Sequence, residues 1–213
     1  PDEKTDKIAS EFFYTVFPYG IVINPITGKR IVNELADRKT RADAILNVGQ
    51  PCIGIADLKG TYISGHNIDK HLNRDIINIF QNLEKLALAY NLPDKALKET
   101  INQYNNYVEN YRDEEFQKPI PIDAKPLQPP YYAIRLWPKV HYTMGGVEIN
   151  TKAQVIDINN QPIPNLYAAG EVTGGIHGAS RLGGCAVTEC LVFGRIAGRN
   201  AALEISYNLT STK

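Results

Sequence analysis

The sequence predicts an α+β module to about Pro130, followed by the last strand, loop and helix of an α/β domain. Three observations lead to this reading. The first part mixes short β-branched runs with a helical repeat of apolar positions. The stretch FQKPIPIDAKPLQPPYYAI (residues 116–134) then carries five prolines and no period, as an extended connection between two domains or layers would. Beyond it, a glycine-rich loop separates strand-like from helix-like sequence.

The elements follow in order. YGIVINPITGKRIVNE (residues 19–34) has two β-branched runs split by Pro25, Thr27 and Gly28, a hairpin signal. RKTRADAIL, starting at Arg38, gains helical character from its Ala and Leu content. QPCIGIAD (residues 50–57) reads as a short buried strand. After a polar loop with His66 and His71, a helix is expected over residues 75–90, stopped by Asn91-Leu92-Pro93. The two histidines, five apart, do not form a recognisable metal motif, and no metal site is assigned. Leu97, Ile101, Tyr104 and Val108 then recur at spacings of four, three and four, one face of an amphipathic helix. GGVEINTKAQVIDINNQPIPNLYAAGEV alternates as a strand, turns at Asn-Asn and returns as a short strand ending at Gly170. From about Gly184 the pattern is helical through Leu203. There is no internal repeat.

Composition narrows the function classes. The 213 residues have room for one large or two small domains. Lys plus Arg equals Asp plus Glu, 23 each, so no net field draws the chain to nucleic acid or an acidic membrane. The longest mostly apolar segment, residues 186–205, is interrupted by Glu189, Arg195 and Arg199, and no run reaches the ~20 residues of a membrane span. Cys52, Cys185 and Cys190 make neither a disulfide framework nor a CxxC motif. The chain starts at Pro1 with no Met and no charged-then-apolar leader, which suggests a fragment or a processed chain.

The segment NLYAAGEVTGGIHGASRLGGCAVTECLVFGRIAGRNAA (residues 165–202) holds the chemistry. A strand, then GGIHGASRLGG, then a helix opening near Cys185 delivers the chain to a helix N-terminus. Free N–H groups there carry about half a positive charge and bind an anion or an electron-rich carbonyl. Glycines let the backbone approach a flat ligand closely. Arg181 is a fixed cation with a planar fork suited to a carboxylate. Taken alone, the same residues could equally form a tight structural turn with a surface arginine.

AAGEVTGGIHGASRLGG, preceded by HYTMGGV, resembles the C-terminal part of the flavocytochrome c and soluble fumarate reductase flavoproteins, within the fumarate reductase and succinate dehydrogenase flavoprotein superfamily. GKRIVNELADR, YYAIRLWPKVHYTMGG and PIPNLYAAGEVTGG appear in the same order, so the likeness runs from about Gly20 to Ala202. The resemblance implies an α+β capping domain over residues 1–130. Residues 131–213 would be the C-terminal part of a Rossmann-like FAD-binding domain. The adenosine-binding glycine fingerprint would lie in a separate N-terminal segment, since no GxGxxG follows a strand here. The chain alone is therefore expected to be colourless and inactive.

The resemblance also implies roles. Arg38 matches the cap arginine that protonates the substrate's α-carbon, and Arg181 the arginine that clamps a substrate carboxylate. Closing the cap would bring the two cations around the substrate. Gly170 and Glu171 match the strand end that holds the flavin's sugar-like chain. Gly183, Gly184, Cys185, Ala186 and Val187 match the helix start facing its pyrimidine end, and His177 would sit near the ring. Cys185 reads as a small residue in a tight turn. Carbonyls around Thr143 and Met144, with Glu171, would suit a monovalent cation as in some relatives.

Two departures stand out. Fumarate reductases of this family commonly have two adjacent histidines where this chain has His141 and Tyr142. A neutral phenol supplies a hydrogen bond and a flat apolar face, but no positive charge. Either Tyr142 keeps the hydrogen bond and the substrate is unchanged, or a monocarboxylate replaces the dicarboxylate. The expected proton relay to Arg38 falls on Tyr14 and Phe17, with Glu11 the nearby acid. The implied activity is FAD-dependent reduction of an α,β-unsaturated carboxylate, fumarate by default. Urocanate, acrylate, methacrylate and cinnamate-type acids are the alternatives, as is a non-catalytic fragment. Electrons would come from a haem domain or another redox partner.

Overall fold

Strand β2 (Cys52–Asp57) is buried along its whole length because both faces of its sheet are covered. Ile53 and Ile55 point to one side, against Ile21 and Ile23 and the helical residues Leu86, Leu97, Ile101, Tyr104 and Val108. Cys52 and Ala56 point to the other, with Val16, Val22, Ile45, Tyr132 and Ile134. Alternation of period two thus feeds two separate apolar clusters. The Cys52 thiol is fully buried there and burial pushes it up to about 12, the behaviour of a packing residue.

The computed structural model describes residues 13–65 and 76–210, in two units divided between Lys139 and Val140. The first unit contains α1 (Phe13–Tyr19), β1 (Ile21–Ile23), α2 (Arg38–Val48), β2, α3 (Leu58–Ser64), β3 (Asn78–Phe80), α4 (Leu83–Tyr90), α5 (Asp94–Glu109) and β4 (Tyr131–Leu136). Its antiparallel sheet has the order β1-β2-β4-β3. Helix α5 buries the expected Leu97, Ile101, Tyr104 and Val108.

Three expectations change. Residues 78–80, placed in a helix by sequence, form β3, because Ile79 pairs with Tyr132 of β4; the helix starts only at Leu83, where the Asn82 side chain caps the Lys85 N–H. The hairpin over residues 19–34 closes with one isolated bridge, Ile23 to Arg30, and β1 takes its ladder from β2 instead. The chain passes from one unit to the other after Lys139 and not after Pro130, since β4 lies between β2 and β3. His66, His71 and Glu11 lie outside the described residues.

Arg30 explains the aborted hairpin. Its side chain turns inward, donating to both Glu34 oxygens (3.1 and 2.8 Å) and to Asp113 (2.8 Å). Lys118 completes the cluster, donating to the Gly20 carbonyl (2.6 Å) and the Tyr104 hydroxyl (3.1 Å), with Glu34 at 3.4 Å. All four charged side chains are essentially buried. Glu34 also accepts the Val22 N–H, which ties the cluster to β1.

The second unit contains a β5–β6 hairpin (Gln154–Ile156 and Pro162–Tyr167) and the long helix α6 (Cys185–Thr210). The Asn-Asn turn is present, with Asn160 in the left-handed region at φ 60°. Strand β6 ends at Tyr167, three residues before the expected Gly170. The backbone leaves the ladder at Ala168, whose N–H donates to the Ala153 carbonyl. Helix α6 docks on the hairpin through Tyr167 to Glu204 and Asn200 to the Lys152 carbonyl. Among the described residues no helix is long and apolar enough to cross a membrane.

Candidate functional site

Two glycine-bearing loops of the second unit run side by side. The Val147 N–H donates to the Val172 carbonyl (2.9 Å) and the Gly174 N–H to the Val147 carbonyl (3.0 Å), as one parallel bridge. The approach is close enough to demand glycine. A Cβ on Gly146 would lie 2.2 Å from the Val172 carbonyl oxygen. Gly146→Ala is expected to lower the unfolding free energy by about 1–3 kcal/mol, the usual cost of overpacking, in a denaturant titration. A change below about 0.5 kcal/mol would refute the tight approach.

The loops frame an open concavity of about 490 Å³ lined by Gly145, Gly146, Glu148, Ile149, Gly174 and Gly175. Glu171 is exposed, and its carboxylate accepts the Thr143 N–H at 2.8 Å. Gly183 and Gly184 are exposed where α6 begins, and Gly184 has φ +84°, a turn that glycine makes at no steric cost. Cys185 and Ala186 are half-buried and Val187 is exposed. The first amides of α6 have no intrahelical acceptor, so this helix start is suited to an anionic or carbonyl-bearing ligand.

Tyr142 stands at the centre of the second set of groups. The Arg181 guanidinium carbon lies 4.6 Å from its ring centroid, and His177 packs edge-on at 5.5 Å. The Tyr142 hydroxyl donates to Glu189 at 3.0 Å. Burial, and then this hydrogen bond to a carboxylate, raise the phenol above its ordinary value, so it stays neutral. Arg181 is 6 % exposed and spends one Nη1 hydrogen on the Leu182 carbonyl. Its Nε and the His177 Nε2 are buried with no partner among the described residues. Buried polar atoms left without a partner in this way mark a place where a polar ligand atom fits.

The structure thus brings Tyr142, His177 and Arg181 together, and Gly170 with them through Glu189, which accepts the Gly170 N–H at 2.9 Å. His141 is exposed and makes no hydrogen bond or ring contact among the described residues. Glu189 itself was missed in the sequence. Its signal was an acid near the start of a mostly apolar helical run, where a buried position can be read only from its partners.

In the first unit, Arg38 is the exposed first residue of α2, whose N-terminus is capped by the Asp37 side chain (2.9 Å to the Lys39 N–H, 3.2 Å to the Thr40 N–H). Arg38 makes no ion pair or hydrogen bond among the described residues, whereas Arg41 stacks on Phe17 at 4.0 Å and donates to the Glu34 carbonyl. Phe17 therefore supports an arginine without offering it a proton. The Tyr14 side chain lies outside the described residues.

Comparison with known proteins places these features in context. A family model described as an FAD binding domain matches residues 17–187. The acrylate reductase flavoprotein subunit of Shewanella woodyi is 44% identical over 93% of this chain and 41% of its own length. A fumarate reductase (cytochrome) of Shewanella frigidimarina is 42% identical over 86% of this chain and 32% of its own. The open conformation of a flavocytochrome c3 fumarate reductase superposes with a TM-score of 0.65 at 38% identity, covering 92% of this chain and 34% of that one. The chain spans about two fifths or less of the length of these relatives.

Proposed function

We propose that this chain, which belongs to the FAD binding domain family, works as part of a flavoprotein that reduces the C=C bond of an α,β-unsaturated carboxylate. The observation that carries the reading is Arg181: a buried guanidinium with a free Nε, next to exposed glycines at a helix start. A buried cation of this geometry suits a carboxylate. The exposed apolar residues Val187, Leu191 and Leu203 of α6 support a larger assembly, because a helix burying its core face would not leave them open.

The residues present fit FAD. Gly183, Gly184, Cys185, Ala186 and Val187 would hold the ring, and Gly170 with Glu171 the sugar-like chain. When bound, FAD supplies the hydride taken up at the substrate's β-carbon. Arg181 holds the carboxylate and disperses the charge that builds on it as the double bond is reduced. Arg38 delivers the proton to the α-carbon, so that one hydride and one proton are added across the bond. An arginine is a weak acid, and the role requires a preorganised, desolvated setting and reprotonation between turnovers. A haem domain or another redox protein supplies the electrons.

Within this class the geometry favours a monocarboxylate over fumarate. The Tyr142 hydroxyl is engaged by Glu189, and the residue offers a substrate no charge. The similarity to an acrylate reductase subunit points the same way. With the complete FAD-loaded protein, kcat/KM for acrylate or methacrylate is expected to exceed that for fumarate by about tenfold or more, the discrimination of one unmatched charge. A fumarate preference would overturn the monocarboxylate reading. Failure to reduce fumarate, acrylate, methacrylate, urocanate and cinnamate alike would overturn the class.

A further inference from the structure

We propose that Glu189 is a positioning residue of the carboxylate site, tethering Tyr142 so that the face of its ring supports the Arg181 guanidinium; this rests on Arg181 being the carboxylate holder. Glu189 is 5 % exposed, on the second turn of α6. Burying a carboxylate is costly unless its oxygens are matched, and here both are. Oε2 accepts the Tyr142 hydroxyl at 3.0 Å. Oε1 accepts the Gly170 N–H at 2.9 Å and faces the Thr173 hydroxyl at 3.4 Å. Every donor is neutral, and no ion pair offsets the desolvation among the described residues.

The consequence falls on the ring. The phenol oxygen lies on the axis about which the ring turns, so the bond to Glu189 fixes the direction of the side chain, and the edge-on packing of His177 sets the plane of the ring about that axis. His177 packs against that plane at 76°, and the Arg181 guanidinium lies over it. Arg181 has one hydrogen bond of its own, to the Leu182 carbonyl, which leaves the fork free to swing about that point. The ring face removes that freedom by cation–π attraction, and a carboxylate bonded to the phenol makes the ring more electron-rich and the attraction stronger. Glu189 also joins the Gly170 turn to Tyr142, so one side chain sets both the proposed cofactor loop and the proposed substrate loop. The phenol proton is given to Glu189 and not to substrate, which leaves recognition on this side to Arg181.

A double-mutant cycle in the complete FAD-loaded protein tests this. Glu189→Ala is expected to raise KM for the preferred acid about tenfold, the scale of a lost cation–π support, with kcat changed less than about threefold. Binding of a saturated acid such as propionate to the flavin-loaded fraction, followed by the change in flavin absorbance, should weaken by the same factor. Glu189→Gln should recover most of the loss, because its amide can accept from Gly170 and donate to the phenol oxygen. Tyr142→Phe should match Glu189→Ala, and the double variant should be no worse than either. Multiplying effects would overturn the tether, as would unchanged KM and propionate binding with only lowered thermal stability. If Glu189→Ala does not fold, Tyr142→Phe decides alone: propionate binding weakened about tenfold supports the tether, and unchanged binding overturns it. Intact propionate binding in Arg181→Lys would instead refute Arg181 as the carboxylate holder.

Discussion

Replacing Arg181 with lysine is expected to lower kcat/KM for the preferred acid by about two to three orders of magnitude, the scale of misplacing one partner of a desolvated charge pair. Charge is kept in this variant, so the loss isolates geometry. A lysine ammonium cannot present two parallel N–H groups to a carboxylate, and it lacks the planar surface that lies over Tyr142. Its compact, strongly hydrated charge would also sit badly where Arg181 is 6 % exposed. Both steady-state constants should change. KM rises because ground-state binding weakens, and kcat falls because charge developing on the carboxylate is less well met. Steady-state kinetics on the FAD-loaded protein, with circular dichroism as a folding control, provide the check. A loss below about tenfold would mean that Arg181 is no carboxylate clamp.

Arg30→Met is expected to destabilise the first unit by about 3–5 kcal/mol, the scale for removing one partner of a buried ion cluster. Methionine fills much of the volume, so the effect is electrostatic. Glu34 and Asp113 would remain buried with Lys118 as the one cation paired to the cluster among the described residues. Burial alone raises the Asp113 carboxyl, but the hydrogen bond and charge of Arg30 outweigh it and hold the group below its ordinary value. A carboxyl lowered by folding contributes its stability above the unfolded value, near pH 4, and loses it as pH falls through the folded value. Without Arg30, burial prevails and Asp113 is raised, so protonation becomes a relief. The gap between wild type and Arg30→Met should therefore be wide at pH 7 and narrower at pH 4. Urea titrations at the two pH values measure it, and a constant gap, or one under about 1 kcal/mol, would refute the electrostatic account.

The same cluster bears on α2. Glu34 holds Arg30 through its side chain and Arg41 through its carbonyl, so residues 30–37 are pinned at one end by buried charge and at the other by the Asp37 cap. Arg38 is placed by this frame while its own side chain stays exposed. Loss of Arg30 should thus disturb Arg38 even though the two do not touch.

What sequence alone determined about this protein is whatever its local period and local composition encode. Helix α5 follows from apolar spacing within sixteen residues, and β2 from a continuous apolar run. Within the candidate site, the turn at Gly184 was legible, because a turn that needs φ > 0 writes its demand into the residue itself. Tertiary structure decided the rest. Residues 78–80 are a strand only because β4 lies beside them, with Ile79 opposite Tyr132. Arg30 leaves its hairpin for Asp113, 83 residues away. Glu189 gains its meaning from Tyr142, 47 residues earlier, and Gly170, 19 earlier. A buried charge is stable only where partners converge on it, and that convergence is a property of the folded chain.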